Sequence, residues 1–128
     1  MIYIDSSVAL AYLLAEDRAP PDSLWQQSLV ASRLLEYEVW TRLHALRLGA
    51  SRGAQASALI ARMSLVELSP AVLARALEPF LVPLRTLDAL HLATVEFLRG
   101  RGREVELASY DERLLAAARA MGIRLVAA

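Results

Sequence analysis

Short apolar runs alternate with longer helical patterns along the whole chain, and this alternation constrains the fold more than any other feature. The runs predict strands over Ile2 to Ile4, Ser28 to Ser32, Leu65 to Leu68, Val105 to Ser109 and Ile123 to Val126. No two-residue hairpin turn joins any pair of them, and a helical pattern lies between successive strands. The sequence therefore predicts an α/β fold with a mainly parallel central sheet and helices on both faces.

Helical patterns fill the intervals between the predicted strands. They cover Ser6 to Ala15, Leu34 to Leu48, Ser51 to Met63, the segment from Pro70 to Pro83, Thr86 to Arg99 and Asp111 to Met121, with a short helical turn within Ser23 to Gln27. Ser69 is expected to cap the helix that begins at Pro70, and Gly49 and Gly122 are expected to end the helices before them. With no linker or repeat in the pattern, we expect residues 1–128 to form a single domain.

The composition excludes several classes of site. Cysteine is absent, which excludes disulfides, thiolate zinc sites and cysteine nucleophiles, and all 14 basic residues are arginine, which excludes a P-loop and Schiff-base chemistry. Acidic and basic residues balance, so any contact with nucleic acid must be local. The apolar stretch from Val8 to Ala15 is too short to span a membrane and follows no basic region, so we expect a cytoplasmic protein without a secretory signal.

Carboxylates occur where the predicted strands end or the next helices begin. Asp5 ends the first strand and Asp111 follows the fourth, while Glu38 and Asp88 fall early in the helices that start near Leu34 and Thr86. The carboxyl ends of parallel strands share one edge of the sheet, where ligands bind. We therefore expect these side chains, called the four acids below, to lie near one another.

Each of the four acids also has a purely structural explanation. Asp5 could cap the first helix, and the helix dipole would favour Asp88 in a first turn. Ser109 to Glu112 has the S-x-x-E spacing of a capping box, which would make Asp111 an ordinary first-turn acid. Glu38 could form a surface ion pair with Arg42 on the same helix. Taken singly, these explanations are the stronger ones.

Taken together, the four acids indicate a cation site. They lie in apolar segments that offer few arginines and no lysine, so a divalent cation is the economical counter-charge. Oxygen ligands favour Mg²⁺ or Mn²⁺ over zinc. His44 and His91 are too few and too far apart to build a zinc site, and each is expected to pack against its own helix.

Four segments, in this order, resemble the PIN-domain nucleases, and most closely the VapC-type toxins of toxin–antitoxin pairs. They are Ile-Asp-Ser-Ser-Val, Leu-Glu-Tyr-Glu-Val-Trp, Thr-Leu-Asp-Ala-Leu-His-Leu-Ala and Ser-Tyr-Asp-Glu-Arg-Leu, followed near the end by Ala-Met-Gly-Ile. The resemblance implies a three-layer sandwich, metal-dependent cleavage of RNA, a homodimer, and inhibition by an antitoxin that covers the active site. It places the metal ligands on Asp5, Glu38, Asp88 and Asp111, and a hydroxyl that orients the attacking water on Ser109, with Ser6 as a weaker candidate.

The departures from the pattern leave specific alternatives open. Glu36 and Glu112 could assist the site, whereas Arg113 stands where some relatives carry a further acid, so no fifth ligand is assigned. Arg42 and Arg85 could contact phosphate, although a surface role is the simpler expectation for both.

Two rival functions compete with a ribonuclease. Metal-dependent aspartyl phosphatases and receiver domains need a lysine, and the phosphatases also need a D-x-D motif that Asp5-Ser6-Ser7 lacks. A catalytically inactive PIN-like binding or regulatory module is the remaining alternative, and the presence of all four acids argues against it.

Overall fold

The computed structural model describes residues 1–126, in which one or two of six α-helices separate each pair of successive strands among five. In chain order the elements are β1 (Ile2–Ile4), α1 (Ser6–Leu13), a 3₁₀ helix (Asp22–Gln26), β2 (Leu29–Ser32), α2 (Arg33–Ala45), α3 (Gly49–Ala61), β3 (Ser64–Val66), α4 (Pro70–Ala76), α5 (Thr86–Gly100), β4 (Glu106–Ala108), α6 (Glu112–Ala120) and β5 (Arg124–Leu125). Within these residues, no helix is long and apolar enough to cross a membrane.

The sheet is parallel throughout and has the strand order β3-β2-β1-β4-β5. β1 is central, and its Tyr3 pairs in register with Val30 of β2 and Leu107 of β4. The strands run in one direction because one or two helices carry the chain back between successive strands. The prediction of an α/β fold with a parallel sheet is confirmed.

Alternating side chains of the strands divide the interior into two apolar cores. Ile4, Ala31 and Ala108 lie in the core covered by α1, α2 and α3. Tyr3, Val30 and Leu107 lie in the opposite core, covered by α5 and α6. Because successive strand residues point to opposite faces, a sheet with apolar residues on both faces needs helices on both sides. The result is the predicted three-layer sandwich.

Two predicted helix ends differ from the structure by three residues or more. Gly49 does not end α2. That helix ends at Ala45, Arg47 takes the left-handed conformation (φ 58°), and Gly49 begins α3. A Cβ on Gly49 would lie 3.0 Å from His44 Nδ1. Gly49 therefore stands where the backbone passes close to the His44 ring, and it does not cap a helix.

The helix that begins at Pro70 is shorter than predicted, because it ends at Ala76 and not near Pro83. Pro79 is the physical reason, since it disfavours helical conformation at the residue before it and cannot donate a helical hydrogen bond. The predicted signals at the other two ends are confirmed. Ser69 Oγ accepts from Val72 N–H at 3.3 Å, and Gly122 follows α6 with φ 73°.

Candidate active site

The four acids line one open cleft of about 710 Å³ at the carboxyl edge of the sheet. Asp5 directly follows β1, Glu38 lies in the second turn of α2, Asp88 in the first turn of α5, and Asp111 is the N-cap of α6. The other residues that line the cleft are Ser6, Ser7, Leu10, Arg85, Thr86, Leu87, His91, Glu112 and Arg113. Parallel strand order thus brings together acids that are distant along the chain.

Asp5 is buried and held by two serine hydroxyls. Its Oδ2 accepts from Ser7 Oγ at 2.6 Å and from Ser109 Oγ at 2.9 Å. Its backbone N–H donates to Ala108 O across the sheet at 3.0 Å. Asp5 occupies the N-cap position of α1, but its side chain makes no capping hydrogen bond to the helix and lines the cleft instead.

Ser109 and Ser7 connect the ends of β4 and α1 around Asp5. Ser109 Oγ accepts from Asp111 N–H at 2.9 Å, and Ser7 Oγ accepts from Tyr110 N–H at 2.9 Å. Ser109 itself is not exposed to the cleft, whereas Ser6 lines it. The sequence singled out Ser6 and missed Ser7, which no local pattern distinguishes from its neighbour.

His91 faces the acids, which corrects the expectation that it merely packs against its helix. Its Nε2 lies 2.7 Å from Glu38 Oε1 and 3.8 Å from Asp5 Oδ1, and its Nδ1 lies 2.7 Å from the Tyr3 hydroxyl. Burial alone would lower the pKa of His91, but the hydrogen bond to Glu38 and the charges of nearby acids outweigh burial and raise it. His91 is therefore a potential counter-charge inside the protein, which the sequence pattern did not indicate.

Glu38 and Asp111 have partners other than those their structural explanations supposed. Glu38 bonds to His91, and not to Arg42. Asp111 caps α6 by accepting from the backbone N–H groups of Arg113 and Leu114 at 3.0 and 3.3 Å. The capping box from Ser109 is wrong, because the helix begins two residues later than that spacing requires.

The flanking charged residues divide between the cleft and the surface. Glu112 lines the cleft and lies 3.8 Å from Arg18, while Glu36 is paired with Arg33 at 3.2 Å and does not line it. Arg85 and Arg113 line the cleft, and Arg42 does not.

The donor chemistry of the cleft fits a hard divalent cation. Burial, and after it the charges of Asp111 and Asp5, raise the pKa of Asp88, so the acids repel one another across the cleft. In residues 1–126, no three histidine, aspartate or glutamate side chains converge closely enough to form a ready metal cage. Mg²⁺ commonly keeps several waters and binds one or two carboxylates, so its binding does not require a closed cage of protein ligands.

Comparison with known proteins identifies the family. The sequence model of the PIN domain matches residues 2–120. No curated protein matches the chain significantly. Among solved structures, Mycobacterium tuberculosis VapC20, a toxin that cleaves the sarcin-ricin loop, superposes with a TM-score of 0.69 at 20% identity, covering 91% of this chain and 95% of that one.

Two further structures share the fold. A toxin–antitoxin complex from Klebsiella pneumoniae matches with a TM-score of 0.65 at 16% identity, over 99% of this chain and 97% of that one. PAE2754 from Pyrobaculum aerophilum matches with a TM-score of 0.66 at 22% identity, over 98% and 90%. At these identities the superpositions show the fold, while the family assignment follows from the match over residues 2–120. The chain belongs to the PIN domain family.

Proposed function

We propose that this chain is a Mg²⁺- or Mn²⁺-dependent endoribonuclease and the toxin of a type II toxin–antitoxin pair. The observation that carries the proposal is the meeting of the four acids in one cleft of a PIN-domain chain. The similarity of the fold to a toxin that cleaves the sarcin-ricin loop supports RNA as the substrate class.

The four acids are the proposed cation ligands. When bound, the cation offsets their charge, stabilises negative charge on the scissile phosphate and activates a water for attack. Ser7 and Ser109 fix the carboxylate of Asp5 by donating hydrogen bonds to its Oδ2. The other oxygen, Oδ1, is left to contact other ligands. Such outer hydrogen bonds orient the groups that hold a metal.

Two arginines of the cleft suit a phosphodiester. Arg85 and Arg113 line the same cleft as the four acids, and a guanidinium donates two hydrogen bonds to phosphate oxygens in a fixed geometry. Without a cation, the acids would repel the RNA backbone that these arginines attract. Both RNA binding and cleavage are therefore expected to need the cation.

The first experiment is cleavage of a fluorescent single-stranded RNA by the purified chain in Mg²⁺ or Mn²⁺. We expect cleavage that EDTA abolishes and that Asp5→Asn lowers by several orders of magnitude, with the fold retained by circular dichroism. Asp22→Asn, an exposed acid outside the cleft, is the matched control and should cleave normally. Full activity of Asp5→Asn would overturn the assignment of the site.

One observation favours the second candidate, an inactive binding or regulatory module. His91 can supply positive charge to Glu38 and Asp5 without any metal. If the chain neither cleaves diverse RNAs nor binds Mn²⁺ by calorimetry, the module is the better description.

The proposed function also implies two protein partners, a second copy of the chain and an antitoxin. We infer a homodimer and a cognate antitoxin that covers the cleft, supported by the shared fold with a chain of a toxin–antitoxin complex. Light scattering of the purified chain tests the dimer. Co-expression with the product of an adjacent short reading frame should give a stable complex in which RNA cleavage is lost.

A further inference from the structure

We propose that His91 is a positioning residue that holds Glu38 at the cleft, at the centre of a hydrogen-bond chain running from Tyr3 through the imidazole to the Glu38 carboxylate. These hydrogen bonds connect β1, α5 and α2, three elements that meet only in the folded protein. The inference rests on the proposed function in treating Glu38 as a cation ligand, whereas the hydrogen-bond chain itself is independent of it.

Both nitrogens of the His91 ring are engaged. The Tyr3 hydroxyl lies 2.7 Å from Nδ1, and Glu38 Oε1 lies 2.7 Å from Nε2. Tyr3 is fully buried, and His91 is 1% exposed. The imidazole cannot turn without breaking both bonds in a buried environment, which would leave polar groups unpaired. Its orientation is therefore fixed, and neither nitrogen is free to bind a metal.

The direction of the hydrogens follows from the two partners. A carboxylate oxygen can only accept, so His91 Nε2 must carry the hydrogen that faces Glu38. The Tyr3 hydroxyl, 2.7 Å from Nδ1, can either donate or accept a hydrogen bond. It can donate to the bare Nδ1 of a neutral ring and can accept from the Nδ1–H of a protonated ring. The Glu38 carboxylate thus requires the hydrogen on Nε2, and the Tyr3 hydroxyl pairs with the other nitrogen of the ring.

The arrangement leaves one oxygen of each neighbouring acid for another ligand. Within residues 1–126, hydrogen bonds from the protein reach Glu38 through Oε1 and Asp5 through Oδ2. His91 Nε2 lies between the two acids, 3.8 Å from Asp5 Oδ1. Because Glu38 is already held in place, binding a cation costs less side-chain conformational entropy than it would with a mobile Glu38. His91 therefore preorganises the acid without replacing a ligand.

Mn²⁺ binding to the full-length chain, measured by calorimetry, tests this role. We expect His91→Phe, which keeps a ring but no donor, to weaken Mn²⁺ binding roughly 10- to 100-fold, as removal of such outer partners does elsewhere. His91→Gln, whose amide can donate to Glu38, should recover most of that loss. His44→Gln, at the other and exposed histidine, is the matched control. Equal affinity of folded His91→Phe and wild type would overturn the inference.

Tyr3→Phe provides a milder variant if His91→Phe does not fold. It removes only the hydroxyl that bonds to Nδ1, and we expect a several-fold loss of Mn²⁺ affinity. No loss in a folded Tyr3→Phe protein would contradict the part of Tyr3 in the chain.

The tautomer gives a readout that needs neither metal nor activity. Long-range ¹H–¹⁵N NMR of the metal-free protein resolves two histidine rings, which His44→Gln assigns. A hydrogen on His91 Nε2, together with an Nδ1 chemical shift that changes in Tyr3→Phe, supports the proposed hydrogen bonds. An Nε2 without a hydrogen overturns them. If the wild type binds no Mn²⁺ but shows this pattern, the proposed function fails and the hydrogen-bond chain stands.

Discussion

Ser109 and Asp5 lie 104 positions apart in the chain, and the Ser109 hydroxyl donates a 2.9 Å hydrogen bond to Asp5 Oδ2. Both side chains are buried, and the same hydroxyl accepts from Asp111 N–H. One small side chain thus fixes the carboxylate at the end of β1 and the start of α6. The relationship has a direct consequence for stability and for the site.

Ser109→Ala should destabilise the protein and weaken its site. The substitution leaves Asp111 N–H without its acceptor and Asp5 with one donor fewer, and a buried unsatisfied group costs about 1–3 kcal/mol. Urea denaturation measures the loss, and RNA cleavage in Mg²⁺ should fall in parallel. Ser57→Ala, on the exposed surface of α3, should stay within about 0.5 kcal/mol of wild type. A Ser109→Ala protein of wild-type stability would refute this account.

Asp111 allows its two roles to be separated. Its side chain caps α6, and asparagine caps helices as well as aspartate does. Asp111→Asn should therefore keep the free energy of unfolding within about 0.5 kcal/mol, whereas Asp111→Ala should lower it by about 0.5–2 kcal/mol. If Asp111 also holds the cation, both variants lose RNA cleavage. An active Asp111→Asn would leave the residue only its capping role.

Asp88 should destabilise the metal-free fold. Its pKa is raised by burial and then by the charges of Asp111 and Asp5, so its ionised form is less favourable in the folded than in the unfolded chain. This cost is present above the raised pKa and disappears as the pH falls toward the ordinary value of 3.8. In EDTA at pH 7, Asp88→Asn should raise the Tm, and the difference should shrink as the pH is lowered.

When Mg²⁺ is added, the wild type should have a higher Tm than Asp88→Asn, the reverse of the order expected in EDTA. If Asp88 holds the cation, the wild type should gain stability from Mg²⁺, and Asp88→Asn should gain less. Glu104→Gln, an exposed acid outside the cleft, should follow the wild type under all conditions. A lower Tm of Asp88→Asn in EDTA at pH 7 would show that repulsion among the acids does not govern this residue.

Gly53 lies where α3 packs on α2, and it has no room for a side chain. A Cβ there would lie 2.9 Å from Trp40 Cη2. Gly53→Ala should cost about 1–3 kcal/mol through overpacking, offset in part by about 1 kcal/mol of helix propensity. Gly100→Ala, with no atom within 4 Å of the added Cβ, should be neutral or stabilising. Equal stability of the two variants would mean that the Trp40 ring moves aside freely.

Local patterns were sufficient wherever the structure depends on near neighbours. The alternation of strands and helices, the cap at Ser69 and the left-handed Gly122 could be read directly from the sequence. Gly49 could not, because its position depends on how the connection from α2 packs against His44. A glycine after a helical pattern indicates a backbone position that a side chain would disturb, but the sequence does not show which neighbouring residue imposes that restriction.

The sequence by itself determined that the strands would be parallel and that acids at strand and helix ends would share one edge, since both follow from element order and position. The assignment of the four acids as cation ligands remains a prediction. Only the tertiary structure decided which hydroxyl and which ring hold those acids, through Ser7, Ser109 and the contact of His91 with Glu38. The hydrogen bonds from Ser7, His91 and Ser109 to these acids have donor–acceptor distances of 2.6, 2.7 and 2.9 Å. Sequence spacing does not encode such distances between side chains on separate elements, because packing of the helices on the sheet sets them.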